Sequence, residues 1–368
     1  MKVIMTGGGT GGHIYPAVAI ADEIRKRKPD TEILFVGAEI GMEKTLVPES
    51  GYDIKLICAD GFNRKNLLKN IKVIRTLRRG SRQSFEILKE FRPDIVIGTG
   101  GYASAPIMKA AQRMKIPTYI HEQNAVPGMA NKMLESKVKK LFLGFDEAAK
   151  YFRHPEKHIF SGNPVRKEFL ETDPARSRAE LGFGDSDFVL LAFGGSQGAG
   201  RINRAMIKVI ETFNGVKDFK ICLATGGYYY DAILNDFGEK GIKLQNNIII
   251  MEYISDMAKY LSACDMVISR SGALSVAEVT VCGKPAIFIP SPLVTGNHQF
   301  YNAKAVADKG GAMIVEEKDL DNDRLVSSIL KLKNNPEVLR AMSENSRECA
   351  PVDAVKIICD NILDESEQ

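Results

Sequence analysis

MKVIMTGGGTGGHIYPAVAIADEIRKRK, residues 1–28, passes from a short apolar strand through a glycine-rich turn, Gly7 to His13, into an amphipathic helical pattern. A strand–turn–helix order of this kind leaves backbone N–H groups unpaired at the helix start, where the helix dipole adds partial positive charge and creates an anion site. Five glycines between Gly7 and Gly12 exceed what one tight turn requires, and they let a diphosphate approach the main chain. Gly7, Gly9 and Gly12 also satisfy G-x-G-x-x-G. Glu39, at the end of the next apolar run, stands where a dinucleotide fold places its ribose carboxylate. A nicotinamide-dependent oxidoreductase is therefore one reading of this stretch. The lysine of a P-loop is missing, which argues against an ATPase or kinase of that class.

Outward from this turn, apolar runs alternate with amphipathic stretches along the whole chain, the signature of βαβ units around parallel sheets. Strands are expected at Lys2 to Met5, Glu32 to Val36, Ile54 to Cys58, Asp94 to Ile97, Thr118 to His121, Lys140 to Leu143 and His158 to Phe160. A second series follows at Phe188 to Phe193, Lys220 to Ala224, Ile248 to Met251, Met266 to Ser269, Ala286 to Ile289 and Ala312 to Val315. With 368 residues the chain is long enough for two domains, and the fold class expected is α/β with two doubly wound sheets. The turn-rich stretch from Ser161 to Asp187 puts the boundary near Pro164, giving domains 1–163 and 164–351. A last apolar helix within 352–368 lies beyond a complete second domain and is expected to cross back onto the first.

Composition narrows the function classes. Hydrophobic residues at 44% and charged residues at 26% are ordinary for a folded enzyme. Six scattered cysteines without C-x-x-C or histidine spacing read as reduced thiols, not as a metal site or a disulfide framework. The first apolar run is too short for a secretory signal and no stretch reaches the length of a spanning helix, so a cytoplasmic protein with at most peripheral membrane contact is expected. A net charge of +4 does not point to nucleic acid, but the excess is local. Between Gly61 and Arg92, Lys69, Lys72, Arg75, Arg78 and Arg79 interleave with Leu67, Leu68, Ile71, Ile74 and Leu77 at helical spacing. Such a helix either packs on the core with a solvated basic face or lies on an anionic membrane surface.

Further glycine turns repeat the opening logic. Gly98-Thr99-Gly100-Gly101-Tyr102 stands between a strand and a helix, and on a strand adjacent to the first it flanks the same diphosphate. Gly194-Gly195-Ser196-Gln197-Gly198-Ala199 and Arg270-Ser271-Gly272-Ala273 do the same in the second half, with Glu278 two helical turns on as a carboxylate for ribose hydroxyls. His121-Glu122-Gln123-Asn124 and Asn297-His298-Gln299 are polar clusters at the C-terminal ends of strands, where open α/β sheets bind ligands. A lone histidine such as His121 is as readily a satisfied structural group. Asp185-Ser186-Asp187 precedes its strand and Asp321-Asn322-Asp323 begins a helix, so neither reads as a magnesium site.

These turns, with His121 to Asn124 and Gly162-Asn163-Pro164-Val165-Arg166, occur in an order that resembles the MurG-type N-acetylglucosaminyltransferases of peptidoglycan synthesis over essentially the whole length. The resemblance implies a GT-B fold, two Rossmann-like domains facing a central cleft. It also implies inverting, metal-independent transfer of N-acetylglucosamine from UDP-N-acetylglucosamine to the C4 hydroxyl of the N-acetylmuramyl unit of lipid I, forming lipid II. No cofactor is implied. Donor contacts carried over position by position fall on Thr10, Gly11 and Gly12, on Asn124 for the sugar, on Arg166, Ser196, Ile254 and Gln299, and on Ala273, Leu274, Ser275, Val276, Ala277 and Glu278. Gly9, Gly100, Gly101 and Tyr102 are then expected to face the acceptor diphosphate. For the base that deprotonates the acceptor, His13 comes first and Glu122 second. The lipid tail of the acceptor favours the membrane-surface reading of the basic stretch, at the cytoplasmic face of the cell membrane, with proteins of cell-wall synthesis as partners. Gly61 to Asn66 departs from the family pattern and receives no contacts. A non-hydrolysing UDP-N-acetylglucosamine 2-epimerase shares the architecture and the donor, and a non-catalytic nucleotide-sugar-binding protein is the remaining alternative.

Overall fold

The structure, a computed structural model, describes residues 1–60, 70–320, 322–351 and 353–364. The chain divides into two compact units, 1–165 with 353–368, and 166–352. The first division falls two residues beyond the end expected at 163, and Asn163, which donates from Nδ2 to the Gln123 carbonyl at 3.0 Å, ties the end of the first unit to its sheet.

In the first unit the strands are β1 (Lys2–Gly7), β2 (Glu32–Ala38), β3 (Asp53–Ile57), β4 (Ile95–Gly100), β5 (Thr118–Glu122), β6 (Lys140–Leu143) and β7 (His158–Phe160). They form one parallel sheet in the order β3-β2-β1-β4-β5-β6-β7. The chain winds outward from β1 in one direction, then returns to β4 and winds in the other, so the strand order reverses between β1 and β4. That reversal is where the loops at the C-terminal ends diverge and leave a crevice. Strands β1, β2 and β4 are almost continuously buried, as a sheet covered by helices on both faces requires.

Strand β4 runs three residues further than the apolar run at Ile97 suggests. Gly98, Thr99 and Gly100 stay in the ladder beside β1, with a register irregularity after Thr6, and Gly100 sustains it at φ +101°. The turn proper is therefore only Gly101 to Ala103, before a helix at Ser104–Arg113.

The closing helix, Ala354–Leu363, is shorter than the 352–368 stretch and is capped by the Asp353 carboxylate on the Lys356 amide. It packs on the Gly11–Arg27 helix, burying Ile358, Cys359 and Ile362 against Ala17, Ile20, Ala21 and Ile24. Arg27 reaches Asp360 at 2.5 Å.

The second unit has β8 (Phe188–Phe193), β9 (Phe219–Ala224), β10 (Ile248–Met251), β11 (Met266–Ser269), β12 (Ala286–Phe288) and β13 (Ala312–Ile314), parallel in the order β10-β9-β8-β11-β12-β13. Its reversal lies between β8 and β11. The amphipathic Gly200–Phe213 helix buries Ile202, Met206, Val209 and Phe213 in the core over β8 and β9. Asp187, before β8, accepts from the Gly184 amide and pairs with Lys220, a structural use at the opposite end of the sheet from the loops that matter.

Of the basic amphipathic stretch, residues 61–69 lie outside the described residues. Asn70–Phe91 is helix, in which Arg75, Arg78, Arg79 and Arg82 are exposed. No described helix is long and apolar enough to cross a membrane. The six cysteines are thiols.

Candidate active site

In the first unit the loops after β1, β4 and β5 meet around His13. The β1 and β4 loops are pressed together: the Gly8 amide donates to the Gly100 carbonyl at 3.3 Å, and Thr99 Oγ1 donates to the His13 carbonyl at 2.7 Å. A Cβ on Gly101, whose φ is +83°, would lie 2.2 Å from the Gly8 oxygen. Only glycine permits this approach of two main chains.

Which amides remain for a ligand is decided by a buried acid that carried no signal in the sequence. Glu43, fully buried, accepts from the Ala38 amide at 2.9 Å through Oε1 and from the Gly9 amide at 2.9 Å through Oε2. Gly9, expected to face a diphosphate, therefore spends its N–H on a carboxylate, whose charge opposes an anion at that point. Past it, the His13 and Ile14 amides both turn back to the Thr10 carbonyl, and the N–H groups of Thr10, Gly11 and Gly12 donate to nothing among the described residues. The donors that the first loop leaves open are thus these three amides at the start of a 17-residue helix, where an anion is favoured. Tyr102 donates its hydroxyl to the Ile40 carbonyl at 2.6 Å, a tie between loops. Glu39 accepts from the Cys58 thiol at 3.2 Å. With Gly9 closed, the dinucleotide reading loses its central contact.

His13 Nδ1 lies 2.9 Å from the Thr99 carbonyl and 2.9 Å from Gln123 Oε1. Both are acceptors, so a proton sits on Nδ1, and in the neutral ring the lone pair is on Nε2, which has no partner among the described residues. Glu122 is differently placed. It is buried, Oε1 receives the Asn124 amide and side chain at 3.0 and 3.3 Å, and Oε2 receives the Gly128 amide and Asn131 Nδ2 at 3.0 and 2.8 Å. Four donors fill its lone pairs, and it serves as the anchor of the 123–131 loop, which carries Asn124. His121, completely buried, bonds the Gly162 carbonyl at 3.0 Å through Nε2, and burial pushes its pKa down to about 4.

In the second unit, Ser196, Ile254, Ala273 to Glu278 and Gln299 follow β8, β10, β11 and β12, all at the C-terminal edge of one sheet. Ser196 is exposed at the tip of the β8 loop, where the Gly195, Ser196 and Gln197 amides have no partner among the described residues and Gly195 and Gly198 adopt φ of +88° and +74°. The neighbouring β11 loop opens the Ala273–Val281 helix. There the first helical bond runs from Val276 to Gly272, leaving the Ala273, Leu274 and Ser275 amides without a partner among the described residues. The two loops flank the reversal in strand order.

Glu278, further along that helix, has its carboxyl pushed up to about 7 by desolvation, which Arg166 opposes. Arg166 is exposed, with its guanidinium over the Phe169 ring at 5.1 Å. The Ile254 side chain is buried. Gln299 Oε1 accepts from the Ser291 amide at 2.9 Å and fixes the 291–297 loop. Arg270 is committed to Glu317 and to the Ile289 carbonyl. Among the described residues no group of three or more His, Cys, Asp or Glu side chains is arranged to hold a metal ion.

The glycosyltransferase family 28 N-terminal domain matches residues 3–143, and the family's C-terminal domain matches residues 189–357. A protein of Acetivibrio thermocellus is 43% identical over 364 residues, 99% of this chain and 98% of its own. One of Caldicellulosiruptor saccharolyticus is 42% identical over 358 residues, 97% of this chain and 96% of its own. Both are named UDP-N-acetylglucosamine–N-acetylmuramyl-(pentapeptide) pyrophosphoryl-undecaprenol N-acetylglucosamine transferase. Among solved structures, Acinetobacter baumannii MurG superposes with a TM-score of 0.79 at 27% identity, covering 99% of each chain. A UDP-GlcNAc 2-epimerase from Neisseria meningitidis, bound to UDP-GlcNAc, superposes at 0.69 over 99% of this chain and 100% of its own. At 15% identity that likeness speaks for the fold alone.

Proposed function

The chain belongs to glycosyltransferase family 28, and from that membership we propose how its two sheet edges act: the enzyme transfers N-acetylglucosamine from UDP-N-acetylglucosamine to the C4 hydroxyl of the N-acetylmuramyl unit of lipid I. The names of its full-length relatives at more than 40% identity support this activity. The observation that carries the residue assignment is the pairing of free main-chain donors at the strand-order reversals with a bare imidazole nitrogen on His13.

The second unit holds the nucleotide. The free amides of Ala273, Leu274 and Ser275, with Ser196 in the adjacent loop, receive the diphosphate. Glu278 accepts from the ribose hydroxyls, the Ile254 main chain meets the uracil, and Arg166 and Gln299 complete the contacts. Asn124 meets the sugar, and Thr10, Gly11 and Gly12 offer their amides where charge builds up. The acceptor's O4 attacks C1 from the face opposite UDP, which inverts the centre. The O4 proton passes to His13 Nε2, and the C1–O bond breaks with its electron pair leaving on the β-phosphate. Oriented N–H groups and helix starts stabilise that charge without reorganising, so no step is routed through a metal.

The exposed Arg75, Arg78, Arg79 and Arg82 support contact with an anionic membrane surface, where the lipid-linked acceptor resides. Labelled UDP-N-acetylglucosamine and a short-chain lipid I analogue, incubated with the protein in the presence of EDTA, are expected to yield UDP and the disaccharide lipid. Recovery of epimerised sugar, or of unreacted donor, defeats this reading.

A further inference from the structure

We infer that Gln123 and His121 are positioning residues that hold His13 in the tautomer with its proton on Nδ1 and its Nε2 bare. The inference rests on the reading of His13 as the base and adds how that base is kept ready.

The order of donors and acceptors is forced from one end of the chain of contacts to the other. The Gly162 carbonyl can only accept, so the hydrogen on His121 lies on Nε2, 3.0 Å away. Burial keeps this imidazole neutral, and its Nδ1 therefore carries a lone pair. Gln123 Nε2 sits 2.9 Å from that lone pair and 3.2 Å from the His121 carbonyl, so the amide turns its NH2 group toward His121. Its oxygen is left facing His13 Nδ1 at 2.9 Å, beside the Thr99 carbonyl at the same distance from the same nitrogen. A reversed amide would set NH2 against N–H and oxygen against a lone pair, losing bonds at both ends. His121 is completely buried and Gln123 is 1% exposed, so water offers no substitute.

The consequence is chemical. A free imidazole in water favours the proton on Nε2, the tautomer that cannot receive a proton at that nitrogen. The Thr99 carbonyl alone opposes this preference with one neutral hydrogen bond. The Gln123 oxygen adds a second acceptor, and as His13 takes the O4 proton both acceptors face the growing positive charge. A third group that orients a base in this way is a recurrent device in proton transfer.

The test uses the full-length protein labelled with 15N in its five histidines, with His13 assigned by the signal lost in His13→Ala. In the parent, Nε2 of His13 is expected at the shift of an unprotonated ring nitrogen and Nδ1 at that of an N–H. Gln123→Met, close in shape and unable to form these bonds, and His121→Phe are each expected to give a mixture of tautomers. In both, kcat should fall about tenfold while the donor KM moves less than about twofold. A thermal melt identifies any variant that fails to fold, and the parent spectrum stands independently of the variants. A protonated Nε2 in the parent at neutral pH, or an unchanged tautomer and kcat in both variants, overturns the inference. Full turnover in His13→Ala instead overturns His13 as the base, an outcome the spectrum separates from loss of the tautomer.

Discussion

At the scale of single residues, the two candidate bases differ in what their lone pairs are doing. His13→Ala is expected to lower kcat by about 10²- to 10⁴-fold with little change in donor KM. Glu122→Gln, which swaps one acceptor oxygen for a donor opposite N–H groups, should chiefly lower the melting temperature. Steady-state kinetics beside a thermal melt distinguishes the two, and a larger kcat loss in the folded Glu122 variant would reverse the assignment. Glu278 makes a pH-dependent prediction. Its pKa rises to about 7 in the folded protein from an ordinary 4.5, so between those values the folded state binds more protons than the unfolded one and stability falls as pH rises. Glu278→Gln should therefore be more stable than the parent at pH 8, by on the order of 1–3 kcal/mol, with the difference fading toward pH 4.5, while UDP affinity weakens. Urea titrations at the two pH values check the first part and UDP titration the second. Glu278 stood out in the sequence because it follows a glycine turn by two helical turns, and His13 because it closes the first glycine turn. Gln123 showed only as one of four polar residues at a strand end, with nothing to give its role, and Glu43 not at all. Their partners are 110 and 34 positions away, and no local pattern distinguishes a buried carboxylate that caps a loop from a solvated one.

At the scale of elements, the glycine turns carry the site because they are where main chains touch. Gly101→Ala meets the Gly8 oxygen and Gly198→Ala meets the Thr225 oxygen at 1.9 Å, both at positive φ. Each is expected to destabilise by at least about 2 kcal/mol. Gly51→Ala, at φ +78° with no atom near its Cβ, isolates the conformational part and should cost about 1 kcal/mol. Chemical denaturation of the three variants gives the comparison; equal losses would show that close approach is not what these turns provide. Periodicity located the strands well because parallel sheets buried on both faces read as unbroken apolar runs. It failed at β4, where Gly98, Thr99 and Gly100 read as a turn but remain in the ladder. Glycine's composition signal does not separate a turn from a strand that must lie tight against its neighbour.

At the scale of the whole molecule, the two units read correctly as α/β from the alternation of elements, and a return of the last helix was visible only as an apolar stretch left over after a full second sheet. The surface it covers could not be read, since the buried residues of the Gly11–Arg27 helix are aliphatic throughout and belong to one cluster with both the sheet and this partner. Ending the chain at Pro351 should expose Ala17, Ile20, Ala21 and Ile24 and lower the thermal transition of the first unit, while UDP affinity at the second changes less than about twofold. Calorimetry with UDP titration reads both, and an unshifted transition would show the helix to be dispensable. The same connection orders events during synthesis. Chain elongation runs from N-terminus to C-terminus at roughly 5–20 residues per second. Every residue of the second unit must be made before Asp353 to Leu363 can emerge, so for on the order of ten seconds or more the first sheet waits with an oily helix face uncovered. The nascent chain then carries an apolar surface open to wrong contacts, and the second unit can complete its fold before the unit that was made first.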